Sequence, residues 1–451
     1  MTLRNCHSII LAAGMGTRMK SELPKVMHEI GGLPLVGHVL KALKVAGSDR
    51  ISVVVGPEMQ ALEKVVADLA PNGRCFVQKD RLGTAHATLA AEPELEQQSD
   101  DVLVLFGDTP LLTTETIQNV RKQLEGGADL VVVGFETSTP QGYGRLLIEN
   151  DQLTAIREDK DATDQERKVT FCNAGFMGFS GRKALELMKA IGNDNANSEY
   201  YLTDAVEIAN KRGLKVVAVT GSEIETQGIN TRAQLASCET DFQNRLRQSA
   251  MENGVTLQAP ETVFFSHDTI VEPDVVIEQN VIFGPGVNVT RGARIRAFSH
   301  LEGASVGAGS VVGPYARLRP GAVLGANTRV GNFVEVKNAT FGAGAKANHL
   351  SYIGDASIGS KSNIGAGTIT CNYDGYLKHR TEIGAGSFIG SNSTLVAPVR
   401  LGNGVFVGAG SVVTKDAATD TLAVGRSKQV NMDGKAKTLR DRLQAAKNTK
   451  S

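Results

Sequence analysis

The residues best suited to chemistry near the start of the chain are Leu11-Ala12-Ala13-Gly14-Met15-Gly16-Thr17-Arg18-Met19, followed by Pro24-Lys25. They come directly after an apolar run. Small residues there let backbone N–H groups approach a ligand and cradle phosphate oxygens. Arg18 and Lys25 add fixed positive charge for a triphosphate, although either one taken singly also suits a solvated surface. The pattern is not a dinucleotide fingerprint, since Met19 stands where a third glycine belongs, and the Gly-Lys-Ser/Thr of a Walker loop is missing. Further on, Phe106-Gly107-Asp108-Thr109-Pro110 closes a second apolar run. A carboxylate at that point overhangs the ligand crevice of a parallel sheet and could hold Mg2+ against phosphates, though Asp-Thr-Pro equally suits a turn or cap.

A second group lies far downstream. Arg317, Arg319, Lys337, His349 and Tyr352 interrupt an otherwise regular apolar pattern, and the segment Thr370-Cys371-Asn372-Tyr373-Asp374-Gly375-Tyr376-Leu377-Lys378 breaks it outright. Arg319 and Lys337 are 18 residues apart, which would stack them on one face of a solenoid as a phosphate site. Solvated surface charge is the competing reading. His349 could be a satisfied structural histidine. It could also take the proton that an amine must lose to attack a thioester. Cys371 reads as a free thiol.

Three kinds of element must position these groups. Up to about residue 230, β-branched runs at 8–12, 51–55, 75–77, 102–106, 130–133 and 216–219 alternate with helical patterns at 35–46, 60–69, 84–91 and 114–124. That alternation predicts a Rossmann-like α/β domain built on a parallel sheet, with ligands at the carboxyl ends of the strands. Residues 231–253 read as one long linker helix. From about 265, apolar residues recur every six positions, at Ile277, Phe283, Val289 and Ile295, then Val306, Val312, Leu318, Leu324 and Val330, with glycine often next. A six-residue period predicts a β-solenoid of three-faced coils, about eight of them, in a prism roughly 40 Å tall. The expected domains are therefore 1–232, 233–253 and 254–451, the last ending in a basic tail.

The chain has 451 residues, with 48 Lys plus Arg against 48 Asp plus Glu. Zero net charge gives no global field for nucleic acid or an anionic membrane. The five scattered cysteines lack CxxC spacing and read as thiols of a reducing, cytoplasmic compartment.

Leu11-Ala-Ala-Gly…Gly-Thr-Arg-Met…Pro-Lys25, Gln78…Leu-Gly-Thr84, Gly107-Asp108, Gly142-Tyr-Gly-Arg145, Glu158-Asp-Lys-Asp-Ala-Thr163, Asn173-Ala-Gly175 and Gly228-Ile-Asn230 resemble the sugar-1-phosphate nucleotidyltransferases. Joined to the hexapeptide region, they resemble the bifunctional bacterial N-acetylglucosamine-1-phosphate uridylyltransferase/glucosamine-1-phosphate N-acetyltransferase family over essentially the whole chain. The resemblance implies that the hexapeptide domain is a left-handed parallel β-helix and the assembly a homotrimer acting on small molecules. It also implies UTP and acetyl-CoA as co-substrates, Mg2+ as cofactor, and a product that supplies cell-wall and lipopolysaccharide precursors.

By the same resemblance Leu11, Ala12, Ala13, Gly14, Arg18, Gln78, Gly83, Thr84, Phe106 and Gly107 line the nucleotide site. Lys25 steadies the phosphates, Gly144, Glu158 and Asn173 hold the amino sugar, and Asp108 and Asn230 bind Mg2+. In the second domain His349 is the general base. Arg319, Lys337, Tyr352, Asn363 and Lys378 bind glucosamine 1-phosphate, and Ala366, Asn372, Tyr373, Ser391, Ala409 and Arg426 contact acetyl-CoA. Arg81 stands where the family often has Gln, and Ala174 where Thr is common. The alternative is a uridylyltransferase whose hexapeptide domain is purely structural.

Overall fold

A computed structural model describes residues 4–449. The chain forms two compact units, residues up to Leu246 and residues from Arg247 onward.

In the first unit the β-branched runs form a sheet in the order Val216–Thr220, Leu130–Glu136, Phe171–Ser180, Asp101–Phe106, Cys6–Leu11, Arg50–Val55 and Arg74–Val77. The helices Leu35–Val45, Gln60–Leu69 and Thr114–Glu125 cover one face through Val36, Leu40, Leu62, Ile117 and Val120. The expectation of a wholly parallel sheet needs correction. Phe171–Ser180 runs antiparallel to both its neighbours. Its small residues (Asn173, Ala174, Gly175, Gly178) hide the β-branched signature of a central strand, so the sequence pattern predicts no strand there. An antiparallel hairpin, Arg145–Glu149 with Gln152–Arg157, hangs from it.

The linker helix is Arg232–Glu252. Its N-terminal part belongs to the first unit, where Leu235, Cys238 and Phe242 pack with Ile30, Leu35 and Ile229. The two units thus divide inside the helix, whereas the sequence places the boundaries at its ends. The apolar stripe of this helix has a partner outside its own stretch of sequence, which periodicity alone does not reveal.

His7 lies in the first strand, fully buried, with Nε2 against Ser52 Oγ at 2.9 Å and Nδ1 unpartnered among the described residues. Burial, helped by Arg50, drives its pKa down to about 4. The fold therefore excludes a proton that the unfolded chain accepts at about 6.5. Its contribution to stability should be complete above that pH and lost as pH falls through 4, by about 3 kcal/mol at most. Acid unfolding followed by circular dichroism should be measurably flatter in His7→Gln over that window.

In the second unit, two- and three-residue strands stack in parallel. Val276–Ile277, Arg294–Ile295, Val311–Val312, Arg329–Asn332 and Lys346–His349 build one ladder. Leu318 pairs with Val336, Val336 with Ile353, Leu324 with Phe341 and Phe341 with Ile358 on the others. The apolar residue of each hexapeptide points inward, so Ile277, Ile295, Leu318, Val336, Ile353 and Leu395 are all fully buried. This is the β-solenoid that the six-residue period predicts, and the left-handed parallel β-helix that the resemblance implies. Among the described residues no helix is long and apolar enough to cross a membrane.

Candidate functional site

The first site is a cleft of about 570 Å³ in the N-terminal unit. Its floor is made where the parallel strands end. Leu11 ends Cys6–Leu11 and Ala12, Ala13 and Gly14 follow it, while Phe106 ends Asp101–Phe106 and Asp108 follows two residues on. Lys25, Gln78, Gly83, Thr84, Gly144, Glu158, Asn173 and Asn230 complete the wall. Two sequence-predicted residues do not line it. Gly107 is buried beneath, where a side chain would meet Ile10 and Val26. Arg18 is exposed, yet its guanidinium donates to Asn230 Oδ1 at 2.9 Å.

The charged centre combines three distant segments. Lys25 Nζ pairs with the Asp108 carboxylate and donates to Asn230 Oδ1 at 3.0 Å. Asp108 and Lys25 are both largely buried, which strengthens their interaction relative to a solvated pair. The turn into the helix Thr84–Leu89 depends on Gly83, whose φ is +113°. A Cβ there would stand 2.5 Å from the Tyr200 carbonyl. Gly83→Ala should destabilise the first unit by about 2 kcal/mol, read as a lowered thermal midpoint, and raise the KM for nucleotide.

The opposite end of the cleft is acidic. Burial raises the pKa of Glu158, opposed by a hydrogen bond from Thr203 Oγ1 at 3.1 Å. Next to Thr203 but outside the cleft lining, Asp204 is pushed up to about 6 by burial and then by Glu207. Arg145, almost fully buried, donates to the Tyr143 carbonyl and pairs with Asp159 at 2.9 Å, fastening the loop that carries Gly144.

The second site lies on the β-helix. Strand register sets Arg319 beside Lys337, since Arg319 N donates to the Val336 carbonyl at 2.8 Å. The hairpin after Thr370 brings Lys378 to them. Lys378 first, then Arg319, lowers the pKa of the Lys337 ammonium. Three cations brought together on stacked backbone suit an anion. Asp355 stands at its base. Burial alone would raise its pKa, but amide donors from Asn338 and Asn372 and the nearby lysines outweigh that and lower it. Tyr352 pairs in register with Glu335, which binds Arg319 Nη1 at 2.8 Å. Asn363 is in a different ladder, beside Lys346 and Phe388, and its strand register does not place it with the cation trio.

A column runs along one corner of the prism. The His349 carbonyl accepts from Gly367 N at 3.3 Å, Ala366 O from Asn392 N at 2.7 Å, and Ser391 O from Gly410 N at 2.8 Å. Arg426 Nη1 caps it on Ala409 O at 2.6 Å. Residues scattered over 78 positions of sequence thus stand in one line. Tyr373 is exposed on the hairpin, whereas the Asn372 amide is engaged by Asp355.

Residues 8–170 match the MobA-like NTP transferase domain, and residues 303–338 and 380–415 match the bacterial transferase hexapeptide. The chain is 55% identical over 440 residues to the bifunctional protein GlmU of Azorhizobium caulinodans, covering 98% of each chain. The bifunctional protein GlmU of Agrobacterium fabrum is 53% identical over 447 residues and 99% of each, and that of Rhodopseudomonas palustris 54% over 451 residues and 100% of each. The chain belongs to the GlmU family. It is a bifunctional nucleotidyltransferase and N-acetyltransferase of UDP-N-acetylglucosamine synthesis.

Several residues of this GlmU family member are invisible to motif reading. Thr203 reaches Glu158 from a segment that carries no glycine-rich motif. Arg81, which stands out in sequence only as a departure from the family pattern, lines the cleft and donates from Nε to the Ala13 carbonyl at 3.0 Å. Asn338 and Asp355 occupy equivalent corners of successive coils in left-handed backbone. An asparagine or aspartate at such a corner reads as turn chemistry alone.

Proposed function

We propose that the cleft transfers the uridylyl group of UTP to N-acetylglucosamine 1-phosphate, and that the β-helix column transfers acetyl from acetyl-CoA to glucosamine 1-phosphate. The observation that carries this reading is the convergence of Lys25, Asp108 and Asn230 in one unit, with the His349-to-Arg426 column and the Arg319, Lys337 and Lys378 cations in the other.

In the cleft, the backbone of Leu11 to Gly14 holds the nucleotide, with Gln78, Gly83 and Thr84 at the base. Gly144, Glu158 and Asn173 hold the sugar so that its phosphate oxygen faces the α-phosphate of UTP. Attack forms the new P–O bond and expels pyrophosphate. Lys25 neutralises the charge that develops, and no protein nucleophile is required. The donor set suits Mg2+: a carboxylate on Asp108 and an amide oxygen on Asn230 converge at Lys25, and hard oxygens in small number are what this ion takes from protein. Among the described residues no three His, Cys, Asp or Glu side chains form a metal-holding group, so phosphate and water oxygens would complete the shell. Bound there, Mg2+ supplies charge neutralisation on the phosphates.

On the β-helix, Arg319, Lys337 and Lys378 bind the phosphate of glucosamine 1-phosphate, with Tyr352 on the sugar. Ala366, Ser391, Ala409 and Arg426 track acetyl-CoA, with Asn372 and Tyr373 at the hairpin. His349 takes the amine proton as nitrogen attacks the thioester carbonyl, and the CoA thiolate leaves. The chain is a cytoplasmic homotrimer with acetyl-CoA sites between neighbouring prisms. The exposed stacked ladder Phe298, Tyr315 and Phe333 supports an apolar face that another copy covers.

The test is release of free CoA thiol with glucosamine 1-phosphate, alongside UDP-N-acetylglucosamine formation from UTP and the acetylated sugar. Lys337→Ala should raise the KM for glucosamine 1-phosphate by roughly tenfold with kcat little changed. Absence of thiol release by the unaltered chain would reduce the β-helix to a scaffold, and sedimentation as monomer at micromolar concentration would exclude the composite site.

A further inference from the structure

We infer that Asn332 is a positioning residue for acetyl transfer: it fixes the His349 ring in the tautomer that leaves Nε2 free to accept a proton. The inference rests on the reading of His349 as the base. Asn332 and His349 stand opposite each other in adjacent coils, paired in parallel register at the ends of Arg329–Asn332 and Lys346–His349. His349 Nδ1 is 2.7 Å from Asn332 Oδ1. An amide oxygen only accepts, so Nδ1 must carry the hydrogen and the lone pair lies on Nε2.

The pairing is built into the backbone. Gly331, next to Asn332, allows the strands to meet closely: a Cβ there would stand 2.0 Å from the Asn348 carbonyl. Leu350 N donates to Asn332 O at 3.0 Å, and the His349 carbonyl accepts from Ser351 Oγ at 3.0 Å and from Gly367 N at 3.3 Å. The imidazole is exposed and the recess beside it, about 290 Å³, is lined by Asn332, Asn348, Arg296 and Arg329. Among the described residues, the charged groups lining that recess are Arg296 and Arg329, and no carboxylate lines it to compete with Asn332 for Nδ1–H. As the C–N bond forms and the C–S bond breaks, the amine proton passes to Nε2, and from there to the departing CoA thiolate. With the opposite tautomer Nε2 would carry hydrogen and could accept nothing.

The experiment uses the full chain with ¹⁵N-labelled histidine at pH 8, the His349 signals being assigned by their loss in His349→Gln. The expected spectrum shows Nδ1 protonated and Nε2 bare, and in Asn332→Ala a mixture of tautomers. The same variant should lose about 10- to 100-fold in acetyl-transfer kcat, with both KM values and uridylyl transfer unchanged. Asn332→Asp also accepts from Nδ1–H. It should keep the tautomer, recover most of kcat at high pH, and move the acid limb of the rate profile up by about one pH unit. Hydrogen on Nε2 in the unaltered protein, or an Asn332→Ala kcat within twofold of normal, would overturn the inference. Persistence of acetyl transfer in His349→Ala would sink the base assignment instead, whatever the tautomer.

Discussion

His349→Ala is expected to lower acetyl-transfer kcat by about 10²- to 10⁴-fold, while UDP-N-acetylglucosamine is still made from UTP and N-acetylglucosamine 1-phosphate at the normal rate. The side chain is exposed and its hydrogen bond is to Asn332 alone among the described residues, so removal opens no cavity and leaves no buried charge. The backbone of the corner is held by Ser351 and Gly367 and does not need the ring. The loss should fall on kcat, because phosphate binding belongs to Arg319, Lys337 and Lys378. Thiol release from acetyl-CoA measures one activity and pyrophosphate release the other. Equal loss of both would mean that the variant fails to fold. Loss of neither would mean that the amine is deprotonated by solvent or another group, and the column would then only bind.

How much of this is legible in sequence depends on whether the signal is local. The six-residue period is legible because each inward residue is set by its own coil, and Ile295, Leu318 and Val336 all fall in register. Stacking then follows from counting, and counting alone puts Arg319 and Lys337 side by side. The cleft is legible where small residues follow a strand directly, as at Leu11 to Gly14. Pairings between distant segments without a chemical signature are not. Thr203 against Glu158 is one, and Phe242 of the linker helix against His38 is another, with ring centroids 5.0 Å apart. The antiparallel strand Phe171–Ser180 escapes sequence reading for a related reason. It is central and buried but carries no β-branched residue, and Asn173, Ala174, Gly175 and Gly178 interrupt its aromatics, because Gly178 leaves room for Val120 and Asn173 and Ala174 face the cleft.

Asp108→Asn should abolish most uridylyl transfer and leave acetyl transfer intact. The substitution conserves shape, so the strand end and Thr109, whose hydroxyl donates to the Phe106 carbonyl at 3.0 Å, should be undisturbed. What changes is charge. In the unaltered protein Asp108 balances Lys25, and Asn230 Oδ1 accepts from both Lys25 and Arg18. Replacing the carboxylate leaves the Lys25 and Arg18 cations with neutral amide oxygens alone and removes the only anionic oxygen of the proposed Mg2+ pair. If charge neutralisation on the phosphates contributes several kcal/mol, kcat should fall on the order of 10³-fold. The Mg2+ concentration for half-maximal rate should rise as well, which separates loss of the ion from loss of positioning by Lys25. A variant whose rate fell without any change in Mg2+ requirement would assign Asp108 to holding Lys25 rather than metal. A rate within tenfold of normal would remove Asp108 from the centre altogether and leave Lys25 with Arg18 as the phosphate-neutralising pair.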